Sequence, residues 1–176
     1  MSLTLFDTKY EVRYVATDMA AVVPLDEENY KPDGNTALYD AIGFSVRALE
    51  QLAPVGKVLF VILTDGEENS SKDWRRQSIF KLIQEKREKN GWEFVFLGAD
   101  QDAYAAAEAI SVAQSSTLSH QRGQSRMAYE RLSEATHAWR SGAAPEVDVA
   151  HLSGGVRREG QAGRIIHPMQ VHRIAL

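Results

Sequence analysis

The chain has 176 residues, 44% hydrophobic and 25% charged, with 24 acids against 20 lysines and arginines and a net charge of −4. This is the profile of one ordinary globular domain, and its acidic balance argues against nucleic acid or an anionic membrane as the main partner, since both need a concentrated basic surface. There is no cysteine, which excludes disulfides, thiolate zinc sites, iron–sulfur clusters and cysteine nucleophiles. The longest apolar run, Val58–Leu63, is far short of a membrane span, and the acid at Asp7 comes too early for a secretory signal. A cytoplasmic location fits the absence of cysteine without following from it and is the expectation, with no membrane partner.

Leu3–Phe6 and Tyr10–Ala16 are β-prone runs separated by Asp7-Thr8-Lys9, which predicts an antiparallel hairpin. A loop with several breakers follows from Pro24 to Asn35, and Thr36 is placed to cap the next helix. In that helix Leu38, Ile42, Ser45, Leu49 and Leu52 form one stripe, and Ala53-Pro54-Val55-Gly56 stops it. Lys57–Thr64 lacks polar alternation, as a strand buried on both faces within a parallel sheet requires. Asp73 is expected to cap a helix from Trp74 to about Lys89, ended by Asn90-Gly91. Trp92–Leu97 predicts a second buried strand, and Asp102–Ile110 a short helix. The last helix runs from about Gln124 to Arg140, with Ala128, Leu132, Ala135 and Trp139 on one face. Strands alternating with helices in this way predict an α/β fold with a largely parallel sheet.

From about residue 143 the texture changes to glycines, arginines and histidines. Arg157, Arg158, Arg164, His151, His167 and His172 punctuate a tail expected outside the main fold, within which Val147–Leu152 and Met169–Leu176 are candidate short strands. The three histidines lack metal-ligand spacing and read as surface residues. His120 and His137 have no neighbouring serine–acid pair of the kind a catalytic triad needs. No catalytic residue is assigned.

Two segments place hard oxygen donors where an open α/β sheet binds ligands, outside the carboxyl ends of its strands. Thr64-Asp65-Gly66 ends the most buried strand, and Gly34-Asn35-Thr36 precedes a helix. An aspartate and a threonine hydroxyl on adjacent loops suit Mg²⁺, which takes few protein oxygens and keeps several waters. Taken singly, each segment has a plainer reading as a turn or a helix cap. Glu67 and Glu68 are candidate additional ligands, although acids before a helix also serve its dipole.

In order and spacing the segments are more specific. Gly34-Asn35-Thr36-Ala37-Leu38-Tyr39-Asp40-Ala41-Ile42 resembles the threonine motif of von Willebrand factor A (vWA) domains, and Val61-Ile62-Leu63-Thr64-Asp65-Gly66 resembles that family's aspartate motif. The hairpin is similar to the family's second and third strands, and Trp92–Ala99 to its fifth. The resemblance covers about residues 3–142 and implies a Rossmann-like sheet flanked by helices, with one antiparallel hairpin strand. It also implies a metal-ion-dependent adhesion site for Mg²⁺ or Mn²⁺ at Thr36 and Asp65. The open metal position would take a carboxylate from a protein partner, so the implied role is adhesion or scaffolding and not catalysis.

The family's Asp-x-Ser-x-Ser motif, first strand and first helix have no counterpart in the chain, which reads as N-terminally truncated with a degenerate metal site. Asp148 to Ser153-Gly154-Gly155 is the nearest text, with the wrong spacing for a strand face. Metal binding by this chain alone is therefore expected to be weak or absent. The missing strand belongs in the middle of the sheet. Two strands are left unpaired, and either direct closure of Leu3–Phe6 onto Lys57–Leu63, tail insertion or self-association must satisfy them. Closure is the leading expectation. Two other functional readings stay open: a Mg²⁺-dependent phosphoryl-transfer or hydrolytic enzyme on a Rossmann-like sheet, and a non-functional fragment. No glycine-rich phosphate loop favours the enzyme.

Overall fold

The computed structural model describes residues 1–26, 28–31, 34–52, 56–99, 102–121, 125–150 and 173–175. Ser153–Gly155, His151, His167, His172 and the three arginines at 157, 158 and 164 lie outside them, as do the helix stop at 53–55 and Gln124. In chain order the elements are β1 (Leu3–Phe6), β2 (Tyr10–Tyr14), α1 (Leu38–Glu50), β3 (Leu59–Thr64), α2 (Arg76–Asn90), β4 (Glu93–Ala99), α3 (Ala103–Glu108), β5 (Thr117–His120), α4 (Ser125–Arg140) and β6 (Arg173–Ala175). The protein is a mixed α/β structure whose sheet runs β2-β1-β6-β3-β4-β5.

β3, β4 and β5 are parallel, with Phe60 opposite Phe94 and Ile62 opposite Phe96. Strand periodicity divides the doubly apolar runs between two cores. Phe60, Ile62, Phe94 and Phe96 face α1, α2 and α3 through Ile42, Val46, Ile79, Ile83 and Ala107. Val61, Leu63, Val95 and Leu97 face α4 through Ala128, Ala135 and Trp139. Three helices cover one face and one covers the other. The expected helical stripes are therefore present, and Gly91 ends α2 in the left-handed conformation at φ 63°.

The sheet corrects the closure expectation. β1 and β2 do form the predicted hairpin, but β1 does not pair with β3. β6 lies between them, antiparallel to both, with Ile174 opposite Leu5 on one side and Leu63 on the other. Closure would move the hairpin by one strand spacing, about 4.8 Å. That would break the bond from Ala37 N–H to the Asp7 carbonyl (2.8 Å) and the contact between the Tyr10 and Ser45 hydroxyls (3.2 Å), which tie the hairpin to α1.

Other boundaries shift for local reasons. α2 starts at Arg76 with Arg75 as its cap residue, and Asp73 does not cap it. β5 was not predicted, because Thr117–His120 is only four residues long and lacks an apolar run. Val147–Ala150 is not a strand, yet Val147 and Val149 are fully buried beside α4. They are held by bonds from Ser116 Oγ to the Val147 carbonyl (3.0 Å) and from Val149 N–H to the Ser115 carbonyl (2.8 Å). Part of the stretch read as a tail thus belongs to the core. Among the described residues, no helix is long and apolar enough to cross a membrane.

One buried charge joins α1 to α2. Lys86 is 9% exposed, bonds Glu50 at 2.5 Å and lies 5.6 Å from the Trp92 ring centre. Burial alone raises the Glu50 carboxyl, but hydrogen bonds and charges from Lys86 and Arg47 outweigh it, and the net pKa lies below the usual 4.5. A carboxyl with a lowered folded-state pKa stabilises the fold above its unfolded value, and that contribution is lost as pH falls through the lowered one. Glu50→Gln should therefore be less stable than the parent at pH 7, with the difference shrinking below pH 4.5. Urea midpoints across that range check it.

Candidate functional site

The carboxyl ends of β1 and β3 lie at the same edge of the sheet, because both run antiparallel to β6. Asp7 follows β1, Asp65 follows β3, and the start of α1 lies against both loops. Gly34 enters this region at φ 74°, where L side chains are strained, and a Cβ there would lie 2.8 Å from Thr8 Oγ1. The next residue, Asn35, donates its N–H to that hydroxyl at 3.1 Å.

Thr36 does not cap α1. The cap residue is Ala37, which has no side-chain hydrogen bond to offer. The N-terminal donors of α1 go instead to the loop after β3. Tyr39 N–H donates to Glu68 Oε2 (2.9 Å) and Asp40 N–H to Ser71 Oγ (3.1 Å). In return the Asp40 carboxylate, only 8% exposed, accepts N–H groups from Lys72 (2.8 Å), Asp73 (3.0 Å) and Trp74 (2.8 Å). Thr36 N–H donates to Asn69 Oδ1 at 2.8 Å, and Asn69 N–H donates to the Thr36 carbonyl at 3.0 Å. The helix start and the loop therefore exchange donors and acceptors in both directions. Each charge-assisted bond is stronger than a neutral one.

This exchange decides what the candidate ligands can do. Glu68 accepts four donors: the N–H groups of Tyr39, Ser70 and Ser71, and the Ser71 hydroxyl at 2.7 Å. Its carboxylate is occupied in shaping the loop. Glu67 is exposed, and Asp65 is half-buried directly after β3. Thr36 is 1% exposed, and its Oγ1 is buried with no hydrogen-bond partner among the described residues. Ser70 Oγ in the facing loop is in the same condition. No group of three histidines, cysteines or acids able to hold a metal is found among the described residues. The motif reading offers a divalent ion only the Thr36 hydroxyl and the Asp65 carboxylate, a set that would leave most of its shell to water.

Tyr39 packs on the α1–α3 core, and its phenol is raised above 10.0 mainly by burial, with Glu68 adding and Arg76 opposing. The Ser71 hydroxyl donates to Glu68 and accepts from Asp40 N–H. Asp40 and Asn69 were not singled out from the sequence. The donors to Asp40 lie 32 to 34 residues further along the chain, so no local signal marked its role. Asn69 carried none either.

Comparison with protein-family models, curated proteins and solved structures finds no match to the chain.

The loop is also held sterically. A Cβ on Gly43 would lie 2.2 Å from Trp74 Cε2, so α1 needs glycine where the indole crosses it. Gly43→Ala should expel that ring and cost about 1–3 kcal/mol by overpacking, more than the ~1 kcal/mol gained in helix propensity. A red shift in tryptophan emission reports it, because Trp92 and Trp139 are buried elsewhere. Asp40→Ala should cost about 2–4 kcal/mol by leaving three loop N–H groups without their acceptor. Urea unfolding measures that loss.

Proposed function

We propose that the chain is a vWA-like protein-binding module with a reduced metal site, in which Thr36 and Asp65 hold Mg²⁺ or Mn²⁺ weakly and an acidic side chain of a protein partner completes the coordination. The observation that carries this reading is the Thr36 hydroxyl. A buried hydroxyl without a hydrogen bond costs about 1–3 kcal/mol, and a bound ion or ligand recovers that cost. The motif order supports the reading, as does a sheet in which the position between the hairpin and the aspartate strand is taken by a single strand, β6. On this view the fold is of the Rossmann-like vWA type, with β6 standing where the family's first strand would lie. Binding is favoured over catalysis because Ser71 and Glu68 are both consumed by structural hydrogen bonds.

When bound, the ion would act as a Lewis acid that attracts a carboxylate. The chain's own part is to hold Thr36 and Asp65 on a loop pair fixed by Asn69, Glu68 and Asp40. Two protein oxygens give a hard dication little advantage over water, so the expected affinity is in the millimolar range. Titration with MnCl₂ followed by NMR should broaden the amides around Thr36 and Asp65. Acetate, the simplest carboxylate, should tighten Mn²⁺ binding by the factor with which Mn²⁺ tightens acetate binding.

Thr36→Val gives a result that a purely structural role would not. It removes an unsatisfied hydroxyl, so stability in the absence of metal should rise by about 1 kcal/mol while the Mn²⁺ response disappears. Asp65→Ala should also abolish the response. Unchanged broadening in both variants would refute the site.

A further inference from the structure

The two edges of the sheet differ. At one edge β5 is largely buried, with Thr117 at 0% and Leu118 at 8% exposure. At the other, β2 pairs with β1 alone among the described residues, and its central residues Glu11, Val12 and Arg13 are all exposed. Such an edge presents backbone N–H and C=O groups with which a further strand can pair.

Strand alternation orders these three residues. Tyr10 packs with the core beneath α1, its ring meeting Phe44 edge-on at 5.5 Å, and Val12 follows it on that face. Glu11 and Arg13 share the other face, where Arg13 Nε lies 3.1 Å from Glu11 Oε1. Alternation then stops. Thr4 is opposite Val12 and Leu3 opposite Tyr14, which makes Arg13 the extra residue of a β-bulge and turns Tyr14 toward the α4 face. A bulge ends regular pairing, so a ladder along the outer edge is short.

This edge is complementary to itself. Two β2 strands set antiparallel about Val12 put Glu11 of each copy opposite Arg13 of the other on one face, and Val12 against Val12 on the other face. Each carboxylate then has a guanidinium beside it along the strand and another across it. Opposite charges across a strand pair stabilise it, and like charges destabilise it. A parallel copy in register sets Glu11 beside Glu11 and Arg13 beside Arg13. A slip of one residue sets charges against Val12. The charge order therefore selects one partner, one direction and one register. Val12, 46% exposed, and Phe44, 37% exposed, leave apolar surface beside the contact.

We propose that the chain forms a two-fold dimer through β2, with Glu11 and Arg13 of each copy paired to Arg13 and Glu11 of the other and the sheet continuous through both. The contact is small, which makes the dimer weak and reversible. A two-fold contact is used up when two copies meet, so association stops at two. Neither Thr36 nor Asp65 takes part, and the inference is independent of the metal reading.

Sedimentation velocity on the full chain, from about 10 µM to about 1 mM, should show a monomer–dimer equilibrium that weakens in about 0.5 M NaCl. Glu11→Arg and Arg13→Glu each set like charges across the contact twice, and each should weaken dimerisation about tenfold or more. Mixed one to one, the two variants restore both opposite-charge pairs and should associate as a heterodimer with the parent's affinity. The double variant Glu11→Arg/Arg13→Glu exchanges the charges within each chain and should dimerise as the parent does. It serves where a single variant fails to fold. A parent that stays monomeric throughout, growth beyond a dimer, unaltered self-association of the single variants, no association in their mixture, or a monomeric double variant would overturn the inference.

Discussion

Two strands of the same direction, β1 and β3, stand one strand's width apart, and most of the architecture follows from satisfying the backbone groups between them. Buried N–H and C=O groups without partners cost about as much as lost hydrogen bonds. Sliding the hairpin inward would satisfy them, but the hairpin is pinned to α1 through Asp7 and Tyr10. The chain instead returns its last strand into the slot, antiparallel to both neighbours.

The same pinning organises the candidate site. α1 starts without a side-chain cap, so its first free N–H groups must find acceptors elsewhere. Glu68 and Ser71 provide them, and Asp40 answers by collecting three N–H groups from the loop beyond. Trp74 closes the arrangement by lying against Gly43, where a larger residue has no room. Rigidity here is a consequence of capping. The loop that carries Asp65 into the site cannot move without exposing donors at the start of a helix.

This economy also explains how the acids at the site divide. Glu68 has the charge of a metal ligand, but its oxygens already accept four hydrogen bonds, and a cation would have to compete with all of them. Thr36 has only a neutral hydroxyl, yet that hydroxyl is buried without a partner among the described residues, as is Ser70 Oγ. Chemical type alone ranks Glu68 first; hydrogen-bond bookkeeping reverses that order.

Much of the fold was legible in the sequence because it depends on local patterns. The runs at Lys57–Thr64 and Trp92–Leu97 lack polar alternation and could only be buried on both faces. The stripe through Leu38, Ile42 and Ser45 fixed the buried side of α1, and Asn90-Gly91 marked the end of α2. Thr36 and Asp65 stand out in the sequence because their neighbours in the chain resemble a motif. What the sequence left undecided depends on contacts between distant segments. The partner of a central strand is chosen by hydrogen-bond geometry, so residues 173–175 had no local mark of belonging beside residues 62–64. Capping failed as a guide at Thr36 and Asp73 for the same reason: the acceptors for α1 come from about thirty residues downstream. Sequence determined most of the strands and helices and the faces they bury, though not β5 or the buried non-strand stretch at Val147–Ala150. Tertiary structure decided which backbone satisfies which, because a hydrogen bond depends on where groups meet in space and not on their order along the chain.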